Sequence, residues 1–272
     1  IVLMNIVLKM SAADIARLVK TFQAWAQPSA NPYTQFLAKP QGCVITVYTS
    51  GKVMFQGEQA ETYATKFGYQ VTSTTPVQQT NIIGTDEVGN GSYFGGLAVV
   101  ATYLSEADLP LIKKLGVDDS KKLTDVKIRQ IAPILKEKIQ HQALLLSPSK
   151  YNEVIKSGYN AVSVKVALHN QAIFLLEQAL STVPDHIIID AFTTEKNYTK
   201  YLKKEKNQTK GQITLRQKAE SQFYAVAVSS VIAREMFLNN LEGLSQDVQL
   251  TLPSGAGHKS DVVAAQIIQQ YG

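Results

Sequence analysis

The sequence predicts an α/β protein of two domains, a small α+β unit followed by a larger sheet flanked by helices. Short β-branched or apolar runs alternate with helical patterns along most of the 272 residues. A polar stretch with one proline, VTSTTPVQQT at 71–80, interrupts them and reads as a linker. Beyond it, two apolar runs each finish on carboxylates, Ile82–Glu87 and His186–Asp190, as strands feeding one site would.

In order, residues 5–9 alternate as a strand does. Ser11 and Asp14 make a capping box ahead of Ile15, Leu18, Val19 and Phe22, whose spacing predicts an amphipathic helix ending before Pro28. Residues 28–41 hold three prolines and read as a loop or short edge strand. Val44–Tyr48 and Lys52–Phe55 flank Thr49-Ser50-Gly51, a hairpin signal, and Gln59–Phe67 is a short helix closed by Gly68. The expected domains are 1–72 and 81–272, joined by residues 73–80.

The second domain opens on Asn81-Ile82-Ile83-Gly84-Thr85-Asp86-Glu87, and Leu97–Tyr103 is its partner strand. Neighbours on a strand point to opposite faces, so Asp86 and Glu87 share a site only at a strand end or bulge. The turn Gly89-Asn90-Gly91 is expected to supply that break. Taken alone, the stretch also reads as an ordinary hairpin with a solvated acidic tip. Helical patterns follow at 125–140, 150–157 and 162–180, with a short strand at 144–146. Glu220 precedes Phe223–Met236, a small and apolar run suited to a buried helix, and 261–271 is a last helix.

Composition narrows the function. With 45% hydrophobic and 18% charged residues the chain can bury an ample core, and no apolar run is long enough to cross a bilayer. Cys43, the single cysteine, forms no internal disulfide and suits a reducing cytoplasm. Four scattered histidines and one cysteine argue against zinc. The glycine spacing fits no dinucleotide loop, and no Gly-Lys-Ser/Thr phosphate loop is present. A net charge of +5 permits a polyanionic partner.

Four carboxylates stand out by placement: Asp86, Glu87, Asp190 and Glu220. Clustered carboxylates repel one another, and a hard divalent cation relieves that repulsion. An oxygen-only set suits Mg²⁺, and two such ions would activate a water and stabilise the leaving oxygen of a phosphoryl displacement. Between Asp190 and Glu220 lie Lys196, Lys200, Lys203, Lys204, Lys206, Lys210, Arg216 and Lys218, a segment that would draw a phosphate backbone or simply form a solvated face.

DEVGNG at 86–91, DDSKKL at 118–123, Leu168-His169-Asn170, Asp190 and KAESQFYAVAVSSVIAR at 218–234 together resemble the bacterial ribonucleases HII and HIII, over residues 81–272. Glu220 at the fourth acidic position, a first domain similar to half of the TATA-box-binding protein, and Gly89-Asn90-Gly91 in place of Gly-Arg-Gly point to the HIII branch. The resemblance implies a ribonuclease-H-like mixed five-stranded sheet and endonucleolytic cleavage of the RNA strand of RNA/DNA hybrids, leaving 5′-phosphate and 3′-hydroxyl ends. It implies Asp86, Glu87, Asp190 and Glu220 as ligands of Mg²⁺ or Mn²⁺. Gly89, Asn90 and Gly91 would contact the hybrid backbone and its 2′-hydroxyls, Ser120 and Lys121 a phosphate near the cut. The first domain would grip the hybrid, and the protein would work as a cytoplasmic monomer. Two alternatives stay open: cutting at single ribonucleotides in duplex DNA, as ribonuclease HII does, and hybrid binding without catalysis.

Overall fold

A computed structural model of the chain describes residues 5–69, 77–117 and 123–272. It divides into two compact units, Ile1–Thr75 and Pro76–Gly272.

In the first unit, β1 (Asn5–Lys9), β2 (Thr34–Ala38), β3 (Val44–Tyr48) and β4 (Lys52–Gln56) form an antiparallel sheet in the order β1-β4-β3-β2. Helix α1 (Ala12–Phe22) starts where the sequence predicts, with the Ser11 hydroxyl accepting the Asp14 amide. Helix α2 (Ala60–Thr65) is shorter than the 59–67 pattern. One sheet face carries Ile6, Ile45, Val47, Val53 and Phe55, buried with Leu18 and Phe22 of α1 and Ala60 and Ala64 of α2. The alternate residues Val7, Met54, Thr46 and Leu37 pair in a row across the other face.

The second unit is built on β5 (Ile82–Val88), β6 (Leu97–Leu104), β7 (His141–Leu146), β8 (His186–Asp190) and β9 (Ile213–Arg216), ordered β7-β6-β5-β8-β9. β5, β8 and β9 run parallel, while β6 pairs antiparallel with both β5 and β7, so the sheet is mixed as expected. Its helices are α3 (Leu109–Leu115), α4 (Asp125–Lys138), α5 (Pro148–Lys156), α6 (Ala161–Ala179), α7 (Glu195–Leu202), α8 (Tyr224–Asp247) and α9 (His258–Tyr271).

Strand alternation sorts the core into two layers. Ile82, Ala98, Val100 and Ile188 bury one face against α4 and α8. Ile83, Val99, Ala101, Ile187 and Ile189 bury the other against α6. Gly84 decides how closely α8 can approach. A Cβ there would lie 2.4 Å from the Val226 nitrogen and 2.5 Å from the Ala225 carbonyl carbon. Only a bare backbone lets the start of α8 lie on β5. Ser229, buried one turn further along α8, then donates to the Gly84 carbonyl at 2.9 Å and sits 2.7 Å from the Thr102 hydroxyl.

Strand β9 is not foreseen by the sequence pattern; its four residues sit inside the basic segment. Among the described residues no helix is long and apolar enough to cross a membrane.

Candidate active site

Parity on the two parallel strands places the carboxylates. Thr85 pairs with Ile189, so the next residues, Asp86 and Asp190, stand side by side at the same level. Both share the parity of Ile82 and Ile188 and therefore face α8. Glu220 lies on the turn before α8. Ala219–Ser221 is one turn of 3₁₀ helix, entered through Lys218 in the left-handed region at φ 55°. That turn aims the Ala219 amide at Asp190, whose Oδ1 accepts it at 2.9 Å. A residue held in this sparsely populated region is a common way to present one backbone donor to a site. Asp86 and Glu220 are both buried, and Glu220 borders a cavity of about 180 Å³ with Gln79 and Tyr224.

Glu87 leaves β5 on the opposite face. The expected break at the glycine turn is absent, because β5 runs in regular register through Val88, with Glu87 opposite Val99 and Val88 opposite Ala98. Ordinary alternation therefore turns Glu87 to the α6 face. There it pairs with the Lys165 ammonium at 3.2 Å and with His169 Nε2 at 3.0 Å. As the side chains stand, no three His, Cys, Asp or Glu among the described residues are gathered closely enough to hold a metal ion.

The two adjacent acids are pushed in opposite directions. Burial, then the charges of Glu87 and Asp190, raise Asp86 to about 8, against the lowering effect of the Ser230 hydroxyl and the Glu87 amide. Burial would raise Glu87 as well, but His169 and Lys165 outweigh it and hold Glu87 below its usual range. Near neutral pH Glu87 is thus ionised and Asp86 protonated, an asymmetry typical of working acid pairs. An all-oxygen set of buried and half-buried acids fits a hard divalent cation.

The sign of the resulting pH effect follows by linkage. The folded chain keeps the Asp86 proton between about pH 4 and about pH 8, while the unfolded chain has lost it. Stability of the ion-free protein is therefore expected to fall as pH rises through that window. The loss amounts to a few kcal/mol, at roughly 1.4 kcal/mol for each pH unit crossed. Mn²⁺ should restore stability at the alkaline end. Thermal melts at both ends of the window, with and without Mn²⁺, check this; a flat profile without the ion would contradict it.

Gly89, Asn90 and Gly91 line a cleft of about 300 Å³ with Tyr93, Tyr151 and Asn152. Gly89 (φ 106°) and Gly91 (φ 74°) use conformations that other residues rarely adopt. Ser92 ties this turn to the C-terminal segment, its hydroxyl accepting the Gly255 amide at 3.0 Å. The eight cationic residues from Lys196 to Lys218 are all exposed. Ser120 and Lys121 lie outside the described residues, as do residues 73–76 of the expected linker. Sequence patterns alone assign no role to Lys165 or Ser230. Lys165 and His169 are four apart on a buried helix, a spacing that puts both on one face and is the signal that could flag them.

A family model described as Ribonuclease HII matches residues 83–272. Ribonuclease HIII of Lactococcus lactis subsp. lactis (strain IL1403) is 58% identical over 269 residues, covering 99% of this chain and 92% of the relative. The chain belongs to the ribonuclease HIII family. Ribonuclease HIII of Streptococcus pneumoniae (strain P1031) is similar at 59% identity, with 98% of this chain and 92% of the relative covered. The crystal structure of Bst-RNase HIII in complex with Mn²⁺ is 36% identical with a TM-score of 0.71, covering 99% of this chain and 92% of that one. Aquifex aeolicus RNase H3, at 19% identity and a TM-score of 0.58, shares the fold. Residues 5–80 match a model described as a domain of unknown function (DUF3378). As a ribonuclease HIII, the chain is an enzyme.

Proposed function

We propose that this ribonuclease HIII cleaves the RNA strand of RNA/DNA hybrids internally, leaving 5′-phosphate and 3′-hydroxyl ends, with Mg²⁺ or Mn²⁺ held by Asp86, Glu87, Asp190 and Glu220. One observation carries the reading. Asp86 and Asp190 stand side by side at the carboxyl ends of β5 and β8, and the turn that carries the buried Glu220 donates the Ala219 amide to Asp190. A pair of bound ions would supply an activated water and charge stabilisation at the leaving oxygen.

The chain's own groups position the substrate. The Ala219 amide fixes Asp190, and the Ser230 hydroxyl and Glu87 amide orient Asp86. Gly89-Asn90-Gly91, on the cleft wall with Asn90 and Gly91 exposed, reads the backbone and the 2′-hydroxyl that separates RNA from DNA. Ser120 and Lys121 bind a phosphate beside the cut. The exposed lysines of 196–218 attract the backbone, giving affinity that falls with salt. We assign residues 1–72 to a hybrid-gripping domain working through its open sheet face, 73–80 to the linker and 81–272 to catalysis. The enzyme acts as a cytoplasmic monomer.

A gel assay compares an end-labelled RNA/DNA hybrid with a duplex carrying one ribonucleotide, each with Mg²⁺, Mn²⁺ or EDTA. The proposal expects multiple internal cuts in the hybrid with either ion and none with EDTA. Efficient cutting only beside the single ribonucleotide would assign ribonuclease HII behaviour, and binding without any product would assign a non-catalytic protein. Deleting residues 1–75 is expected to raise KM for hybrid by roughly 10-fold or more with a smaller change in kcat, as loss of uniform binding does. An unchanged KM would remove the gripping role.

A further inference from the structure

On the α6 side of the site Glu87 sits in a closed cluster, and the cleavage chemistry assigns its neighbours there no part. Lys165 and His169 lie four residues apart, both buried, and converge on the two oxygens of Glu87 at 3.2 and 3.0 Å. The other nitrogen of His169 lies 2.8 Å from the Thr85 hydroxyl, fully buried two residues before Glu87. Both ring nitrogens are thus engaged, Nδ1 by the Thr85 hydroxyl and Nε2 by a Glu87 oxygen. Phe192, two residues after Asp190, closes the cluster. Its ring stacks on His169 with centroids 5.0 Å apart, and the Lys165 ammonium sits 4.4 Å from its centre. The cluster therefore grips the carboxyl ends of β5 and β8 from behind while Asp86 and Asp190 face α8.

We propose that Lys165 and His169 are positioning residues for Glu87, engaging both oxygens of its carboxylate at the strand end so that a divalent ion gains it only in competition with the Lys165 ammonium. This rests on the four-carboxylate reading. A buried ammonium bonded to a ligand oxygen opposes ion capture twice, by occupying the oxygen and by like-charge repulsion. The two effects separate experimentally. Occupancy depends on the acid at 87, whereas repulsion does not.

The test is titration calorimetry of Mn²⁺ into the full-length, substrate-free protein. Lys165→Met keeps the apolar stem and removes the charge. It is expected to tighten Mn²⁺ binding by at least ~5-fold, while Lys165→Arg, which keeps the charge, stays within ~2-fold of wild type. In a Glu87→Gln background, Lys165→Met should shift affinity by less than ~2-fold, because the competition is gone. An unchanged affinity in Lys165→Met overturns the proposal. So does an equal gain with glutamine at 87, which would mean a general charge effect. If circular dichroism shows Lys165→Met unfolded, His169→Asn takes its place, with a smaller gain of the same sign expected and no gain counting against. Wild-type protein that binds no Mn²⁺ overturns the four-carboxylate reading itself.

Discussion

Asp86→Asn and Asp190→Asn are each expected to lower hybrid cleavage by ~10²–10³-fold, the scale of removing one preorganised electrostatic group from a site. Hybrid affinity should change little, because the cationic segment and the glycine turn are untouched. The Asp86 substitution is informative because folding does not confound it. Burial and two neighbouring acids raise Asp86 to about 8, so near neutral pH the ion-free protein already holds a neutral group there. Asparagine reproduces that neutral shape, and the variant should melt no lower than wild type without ions. What it loses is the second oxygen and the ability to ionise when a cation arrives. Single-turnover cleavage with hybrid in excess of its Kd checks this. Cleavage within ~10-fold of wild type would exclude Asp86 from the chemistry.

Gly84→Ala should damage both stability and activity. The added carbon would lie 2.4–2.7 Å from the Val226 nitrogen and from the Ala225 carbonyl carbon and Cβ, mostly backbone atoms that no rotamer change can move aside. Overpacking at such a contact costs at least ~2 kcal/mol, which lowers the melting midpoint of a unit this size by roughly 4–8 °C. Helix α8 must lift off β5, straining the Ser229 bond to the Gly84 carbonyl. It would also carry Ser230 away from Asp86 and the Glu220 turn away from Asp190. Activity is therefore expected to fall further than stability explains at a temperature where the variant is fully folded. A variant with wild-type melting would refute the close-approach account.

Much of the architecture is legible in the residues. The Ser11 cap, the hairpin around Gly51, the Asp190 strand and the buried character of α8 follow from patterns that local physics dictates. Strand β9 is not legible. Ile213–Arg216 is four residues long, lies among lysines, and becomes a strand only because β8 offers it an edge. The strand break expected between Asp86 and Glu87 is absent for a different reason. The glycines that should break the strand come after Val88, where it has already ended, and alternation sends the two acids to opposite faces. Lys165 stays hidden because charge inside a buried helix makes sense only once Glu87 is known to face it. Local pattern thus locates the acids, while tertiary packing decides which face each one serves.

The central claim, that these acids assemble around a divalent ion, is tested most directly by anomalous diffraction from crystals of the full chain grown with Mn²⁺. The account predicts a peak bounded by oxygens of Asp86, Asp190 and Glu220, with a Glu87 oxygen drawn toward it from Lys165. A peak elsewhere, or none at that position with Mn²⁺ bound in solution, would contradict it.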